Sequence, residues 1–199
     1  MSSRAHASEE ALAAIALRRW RATAASAGAH PRHVVLGGVG LGFTLRAVLD
    51  AVPLEARVIV VELVPELVAW VRGPVAHLAG RPLDDPRVRL QMGDVAPRIA
   101  ESSGAFDLVL LDVDNGPVPL VHRANEQLYG DAGVRACHRA LRGGGVLGVW
   151  SAGPDQRYLE RLHRAGFSAE QHVVTAGVGG GVRHAILVGV KARAIGHRR

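Results

Sequence analysis

The stretch 34–49, VVLGGVGLGFTLRAVL, decides how this chain folds. It joins a short apolar run, HVVLGG over 33–38, to the helix-forming LGFTLRAVLDAV over 41–52. The apolar residues of the first run are continuous rather than alternating, which predicts a strand buried on both faces. Gly38, Gly40 and Gly42 follow in a G-x-G-x-G spacing. Glycines there permit a tight turn and close approach of a ligand to backbone N–H groups at the helix N-terminus. Strand, glycine turn and helix form the first unit of a parallel sheet, in which ligands bind beyond the carboxyl ends of the strands.

The same rhythm continues in both directions. Upstream, SEEALAAIALRRWRATAASA places Leu12, Ile15, Ala16 and Arg19 at helical spacing, with Ser8 as the expected cap and Glu9 and Glu10 in the first turn. Downstream, ARVIVVEL reads as a second buried strand, and RVRLQMGD, AFDLVLLDV and GGGVLGVWSA as the third, fourth and fifth strands. Helices are expected between them: PELVAWVRGPVAHLA, opened by Pro65 and ending in a loop within 73–86, then VAPRIAES and NEQLYGDAGVRACHRALR. After a helix over DQRYLERLHRAG, the runs AEQHVVTAG and RHAILVGVKA flank a glycine-rich turn and read as a hairpin. Strands alternating with helices imply a mostly parallel sheet covered on both faces, to which the hairpin adds an antiparallel strand.

Length and composition bound the function classes. A chain of 199 residues suits one domain with a well-buried core. With 48% apolar and 21% charged residues, the balance is that of a soluble globular protein. Charges, glycines and prolines interrupt every run that might span a membrane, and the N-terminus lacks a signal-peptide pattern, so a cytoplasmic location is expected. The lone Cys137 is expected to be a small core residue, and the ten histidines show no metal-ligand spacing with carboxylates. No metal is therefore predicted. The net charge of +6 comes from scattered arginines with few aromatics, which argues against nucleic-acid binding. Heavy use of Ala, Arg, Gly and Val fits the codon bias of a GC-rich bacterial genome. The expected organisation is an N-terminal helical segment 1–30, a ligand-binding domain 31–192 and a basic tail 193–199.

The residues that end the strands carry the chemistry. Glu62 ends the second strand roughly 20 residues beyond the glycine loop, where an acid accepts hydrogen bonds from both hydroxyls of a ribose. Asp94 ends the third, placed to accept from the exocyclic amine of adenine, and Asp112 ends the fourth. Glycine loop, ribose acid and adenine acid match an adenosine ligand in that order, and acids converging on one cleft favour a cationic group. Each of these carboxylates also has a plainer reading as a polar residue where a strand meets solvent. Asp112 can cap its own turn. Asp114 lies in Asp-Asn-Gly, a turn sequence in its own right, and Tyr129 can be a helix-face core residue. His122, between Asp114 and Tyr129, is a candidate on the acceptor side, whereas Trp20 and Trp150 suit packing.

From about Val34 to Trp150 the chain resembles the Rossmann-like S-adenosylmethionine-binding fold, and within it the spermidine synthase-like branch of the class I methyltransferase superfamily. The resemblance is carried by GGVGLGFTLR, by VVELVPELV, by DDPRVRLQMGD with FDLVLLDVDNGP, and by NEQLYGDAGVRACHRALRGGGVL, with Glu126 and Tyr129 at matching distance. It implies a doubly wound, mostly parallel seven-stranded α/β sheet ending in an antiparallel hairpin, here preceded by an N-terminal helix. It also implies that Glu62 holds the ribose and that Asp94, with Val95, holds the adenine. Gly38, Gly40, Leu41 and Gly42 would line the thioether side, and Asp112 would orient and deprotonate an acceptor amine, with Asp114 and Tyr129 near it. The implied cofactor is S-adenosylmethionine or its decarboxylated form, and the implied assembly a homodimer. Two departures bear on specificity. Polyamine synthases carry an Asp in the glycine loop where this chain has Leu41, and an N-terminal β-domain where a helix is expected here. Methyl transfer to a small molecule is the alternative activity, and a silent nucleoside-binding homologue the alternative class.

Overall fold

A computed structural model of the protein describes residues 6–24, 28–113, 127–175 and 182–193. The opening stretch forms strand β1 (His33–Gly37) and helix α2 (Phe43–Ala51), preceded by α1 (Ala7–Thr23). There follow β2 (Arg57–Glu62), α3 (Pro65–Arg72), β3 (Val88–Met92), α4 (Val95–Ala100), β4 (Phe106–Leu111) and α5 (Asp131–Ala140). The last elements are β5 (Leu141–Ser151), α6 (Gln156–Arg164), β6 (Phe167–Thr175) and β7 (Arg183–Lys191). They build one seven-stranded sheet in the order β3-β2-β1-β4-β5-β7-β6. Strands β1 to β5 pair in parallel, whereas β7 runs antiparallel to both β5 and β6. The expected α/β sheet with its terminal hairpin is therefore present.

Burial on both faces explains the unbroken apolar runs. Val34 and Leu36 of β1 and Leu108 and Leu110 of β4 pack with Leu12, Ala16, Leu45, Val48 and Val71 of α1, α2 and α3. The alternate residues Val35, Val109 and Leu111 pack with Ile99, Val134, Cys137 and Tyr158 of α4, α5 and α6. A period of two along each strand thus feeds two separate helix layers. Cys137 is buried as expected, and burial pushes its thiol up to about 12.

Several local expectations need correction. Ser8 does not cap α1, because the helix begins at Ala7 with His6 at the N-cap and the His6 ring stacked on Phe43 at 4.2 Å. Docking on α2 extends the helix beyond the point where the local signal starts it. The buried stripe of α1 is Leu12, Ala13, Ala16, Leu17 and Trp20, and Arg19 instead pairs with Glu170 of β6 at 3.0 Å. The helix expected over 65–79 stops at Arg72, and Ala76–Ala79 and Pro82–Asp84 form 3-10 turns. The helix expected over 125–142 is interrupted at Gly130, and Leu141 and Arg142 already belong to β5. There the apolar Leu141 pairs with Phe106 at the start of β4, so sheet pairing overrides helical propensity.

Candidate functional site

The loop between β1 and α2 is shaped by two close approaches. Gly38 has φ +85°, and a Cβ on it would lie 2.3 Å from the carbonyl oxygen of Asp112. Gly42, at φ +90°, caps α2 and would place a Cβ 2.8 Å from Pro82. Both positions combine a left-handed backbone with no room for a side chain, which only glycine satisfies. Gly40 also has positive φ, and Leu41 is half-buried in the turn that closes when the Gly42 N–H donates to the Val39 carbonyl at 2.8 Å.

Glu62 is tied to this loop. It is 5% exposed, and its Oε2 accepts from the Val39 N–H and its Oε1 from the Val64 N–H, each at 2.8 Å. Each oxygen keeps a further lone pair, so the carboxylate is fixed in place and still able to accept. Its backbone carbonyl accepts from the Gly93 N–H at 2.9 Å, which draws the end of β3 alongside. Asp94, just beyond, is exposed and caps α4 through Oδ1, which accepts from the Ala96 N–H at 2.9 Å. Val95 turns the other way: it is 4% exposed, and its side chain packs under Gly37.

Asp112 completes the row. Its N–H donates to the Gly37 carbonyl at 2.9 Å, and its Oδ2 accepts from the Thr44 hydroxyl at 2.7 Å. The residue keeps some exposed surface, yet burial, opposed by the Thr44 hydrogen bond and assisted by the like charge of Glu9, pushes its carboxyl up to about 6. Tyr129 is placed differently. It is 2% exposed in the layer under α4, α5 and α6, packs edge-on against Tyr158, and donates its hydroxyl to the Val113 carbonyl at 3.2 Å. It therefore anchors the chain beyond Asp112 from the opposite face of the sheet. Asp114, His122 and Glu126 lie outside the described residues.

The structure brings Gly38, Gly42, Glu62, Asp94 and Asp112 to one end of the sheet and adds residues that the sequence reading did not single out. Thr44 and Glu9 reach Asp112 from α2 and α1. Leu63 and Met92, 67% and 51% exposed, flank Glu62 and Asp94 with apolar surface. A polar residue in the first turn of an apolar helix was the available signal for Thr44, and apolar residues directly beside a strand-end acid were the signal for the other two. A cavity of about 320 Å³ between α4 and α5 is lined by Ala96, Ile99, Leu128, Ala136 and Arg139 and by none of the strand-end acids. Among the described residues no helix is long and apolar enough to cross a membrane.

No family model matches the chain. A polyamine aminopropyltransferase 2 from Caldanaerobacter subterraneus subsp. tengcongensis is 38% identical over 112 residues, covering 53% of this chain and 36% of that protein. The matches to the first such curated relatives cover only 33% to 40% of their length. Among solved structures, a spermidine synthase from Thermotoga maritima has a TM-score of 0.70 at 19% identity, covering 94% of this chain and 59% of that one. A precorrin-6y C5,15-methyltransferase from Geobacter metallireducens has a TM-score of 0.61 at 17% identity, covering 90% of this chain and 87% of that one. The chain is thus similar in sequence, over about half its length, to polyamine aminopropyltransferases, and in fold to spermidine synthases and methyltransferases, in agreement with the resemblance stated above.

Proposed function

We propose that this chain is a transferase that moves an alkyl group from an S-adenosyl sulfonium donor to a small amine, with aminopropyl transfer as the first reading. One observation carries it: Glu62, buried, with one oxygen held by the Val39 N–H inside the glycine loop and the other by the Val64 N–H just beyond β2. A carboxylate fixed in this way has its remaining lone pairs aimed without further ordering, as recognition of two adjacent ribose hydroxyls requires. The other residues fit the same ligand. Gly38, Gly40 and Gly42 offer backbone without bulk to the thioether side, which Leu41 would line with them. The free oxygen of Asp94 and the backbone of Val95 suit the adenine, and Leu63 and Met92 offer apolar flanks. When bound, the donor supplies an electrophilic carbon attached to sulfur.

The chain's own contribution is then positioning and one proton. Asp112 orients the acceptor and takes the proton that its nitrogen loses, a role favoured by a carboxyl raised to about 6, since a stronger base accepts a proton more readily. Holding the nucleophile in line supplies much of the remaining rate. Tyr129 supports this geometry indirectly through the Val113 carbonyl, and Asp114 stands two residues from the acid. Methyl transfer is the second reading, favoured by Leu41: no acid stands at that loop position to receive the amino group of a decarboxylated donor.

Calorimetry with methylthioadenosine tests the pocket. Glu62→Ala should abolish detectable binding and Glu62→Gln weaken it less, whereas unchanged affinity in Glu62→Ala refutes the assignment. Incubation with both donors and a panel of amines tests the reaction. Release of methylthioadenosine indicates aminopropyl transfer and S-adenosylhomocysteine methyl transfer, and neither product across the panel overturns both readings.

A further inference from the structure

A carboxylate that takes up a proton in each turnover needs hydrogen-bond partners for two states. Ionised, it only accepts; neutral, it has a hydrogen to donate. Thr44 Oγ1 stands 2.7 Å from Oδ2 of Asp112 and 3.2 Å from the backbone carbonyl oxygen of Glu9. Thr44 is 2% exposed, so water does not replace either contact. A hydroxyl has one hydrogen and cannot serve both acceptors at once. With Asp112 ionised, that hydrogen goes to Oδ2, the shorter and charge-assisted contact. With Oδ2 protonated, the Asp112 O–H donates to Thr44 Oγ1 and the Thr44 hydrogen turns to the Glu9 carbonyl.

We propose that Thr44 is a positioning residue for the transfer, a two-position hydrogen-bond partner that keeps the Asp112 carboxyl satisfied before and after it takes the acceptor's proton. In that step an N–H bond of the acceptor breaks and an O–H bond on Asp112 forms, while Thr44 keeps its own hydrogen throughout. The role rests on Asp112 as the proton acceptor, and it gives the N-terminal turn of α1 a part in the site. Among the described residues, the surroundings of Asp112 leave this task to Thr44. From α1 the acting charge is Glu9, which repels the ionised form. The glycine loop contributes backbone only, through the Gly37 carbonyl and the close approach of Gly38. From the opposite face, the Tyr129 hydroxyl donates to the Val113 carbonyl.

The test is a carbon-13 NMR titration of the Asp112 carboxyl in the unliganded full chain, beside pH–rate profiles, for wild type, Thr44→Val and Thr44→Ser. Removing the hydroxyl takes a charge-assisted bond from the ionised form and a weaker neutral one from the protonated form. The midpoint should therefore rise by about one pH unit in Thr44→Val, with the acid limb of the rate profile following, and return in Thr44→Ser. Should Thr44→Val not fold, Thr44→Ala carries the same expectation. If Thr44 merely ties α1 to α2, the valine variant loses Tm and leaves the midpoint where it was, and that result overturns the proposal. A midpoint that moves as expected in a protein that transfers to no amine overturns the transferase reading instead, while the coupling of Thr44 to Asp112 stands.

Discussion

Asp112→Asn should stabilise the protein near neutral pH while removing its proton acceptor. The Asp112 carboxyl is pushed from 3.8 to about 6, chiefly by burial. In the unfolded chain it titrates at the ordinary value, about 4. As pH rises between those values, the unfolded chain gives up this proton before the folded one does, so the equilibrium moves towards unfolding. Above both values the ionised acid costs the fold a constant amount, about 3 kcal/mol for two pH units; about half of that is present at pH 5 and little at pH 4. Asparagine has the same shape and no charge to bury, and its carbonyl oxygen can still accept from Thr44. Its amide brings donors with no matched partner, at about 1 kcal/mol. The net expectation at pH 8 is about 2 kcal/mol of added stability, a Tm higher by roughly 4–8 °C for a chain of this size. At pH 4 the gain should vanish. Urea unfolding of both proteins at pH 4, 6 and 8 reads the difference directly, and turnover at pH 8 should fall at least about 100-fold with methylthioadenosine binding retained. A variant no more stable than wild type at pH 8, or a gap independent of pH, would refute the reasoning.

Gly38→Ala sets a methyl group 2.3 Å from the Asp112 carbonyl oxygen at a φ of +85°. It should cost about 2 kcal/mol or more and weaken methylthioadenosine binding, and wild-type values for both would disprove the close approach. Arg87 pairs with Asp85 at 2.7 Å and donates to the carbonyls of Leu49 and Val52 at 2.8 Å and 3.0 Å, closing the end of α2. Arg87→Ala should cost about 3 kcal/mol at pH 7, because it breaks a largely buried pair and leaves those carbonyls unpartnered. The Arg87 guanidinium holds the Asp85 carboxyl below its usual range, so this stabilisation is complete above about pH 4 and is lost as pH falls through the lower folded value. The gap between wild type and variant in urea unfolding should accordingly narrow in acid, and a gap of constant size would count against the pair.

Much of this architecture was legible before any coordinates. A strand buried on both faces needs an unbroken apolar run, and β1, β2 and β4 have one. Strand ends follow from where the apolar runs stop, so the places of Glu62, Asp94 and Asp112 at one end of the sheet were legible from the chain alone. Glycine punctuation inside a helical pattern was harder to read: Gly73 and Gly130 each end a segment that periodicity alone carries through. Tyr129 shows a different limit. The family resemblance implied that it lies near Asp112; its hydroxyl reaches the carbonyl of the neighbouring Val113, from the layer opposite the one that Asp112 faces.

The succession of strands and helices along the chain, the glycine turn and the acids at the strand ends follow from the sequence. Each of these depends on residues a few positions apart, and short-range periodicity and turn chemistry record such relations directly. What those acids meet is set by how the elements pack. Thr44 lies 68 residues from Asp112 and 35 from Glu9, and α1 docks its first turn over both through the packing of Leu12, Ala16 and His6 on the sheet and α2. No local pattern encodes that meeting, because it is set by which apolar faces bury one another across the fold. That same burial turns an ordinary strand-end aspartate into an acid raised to about 6.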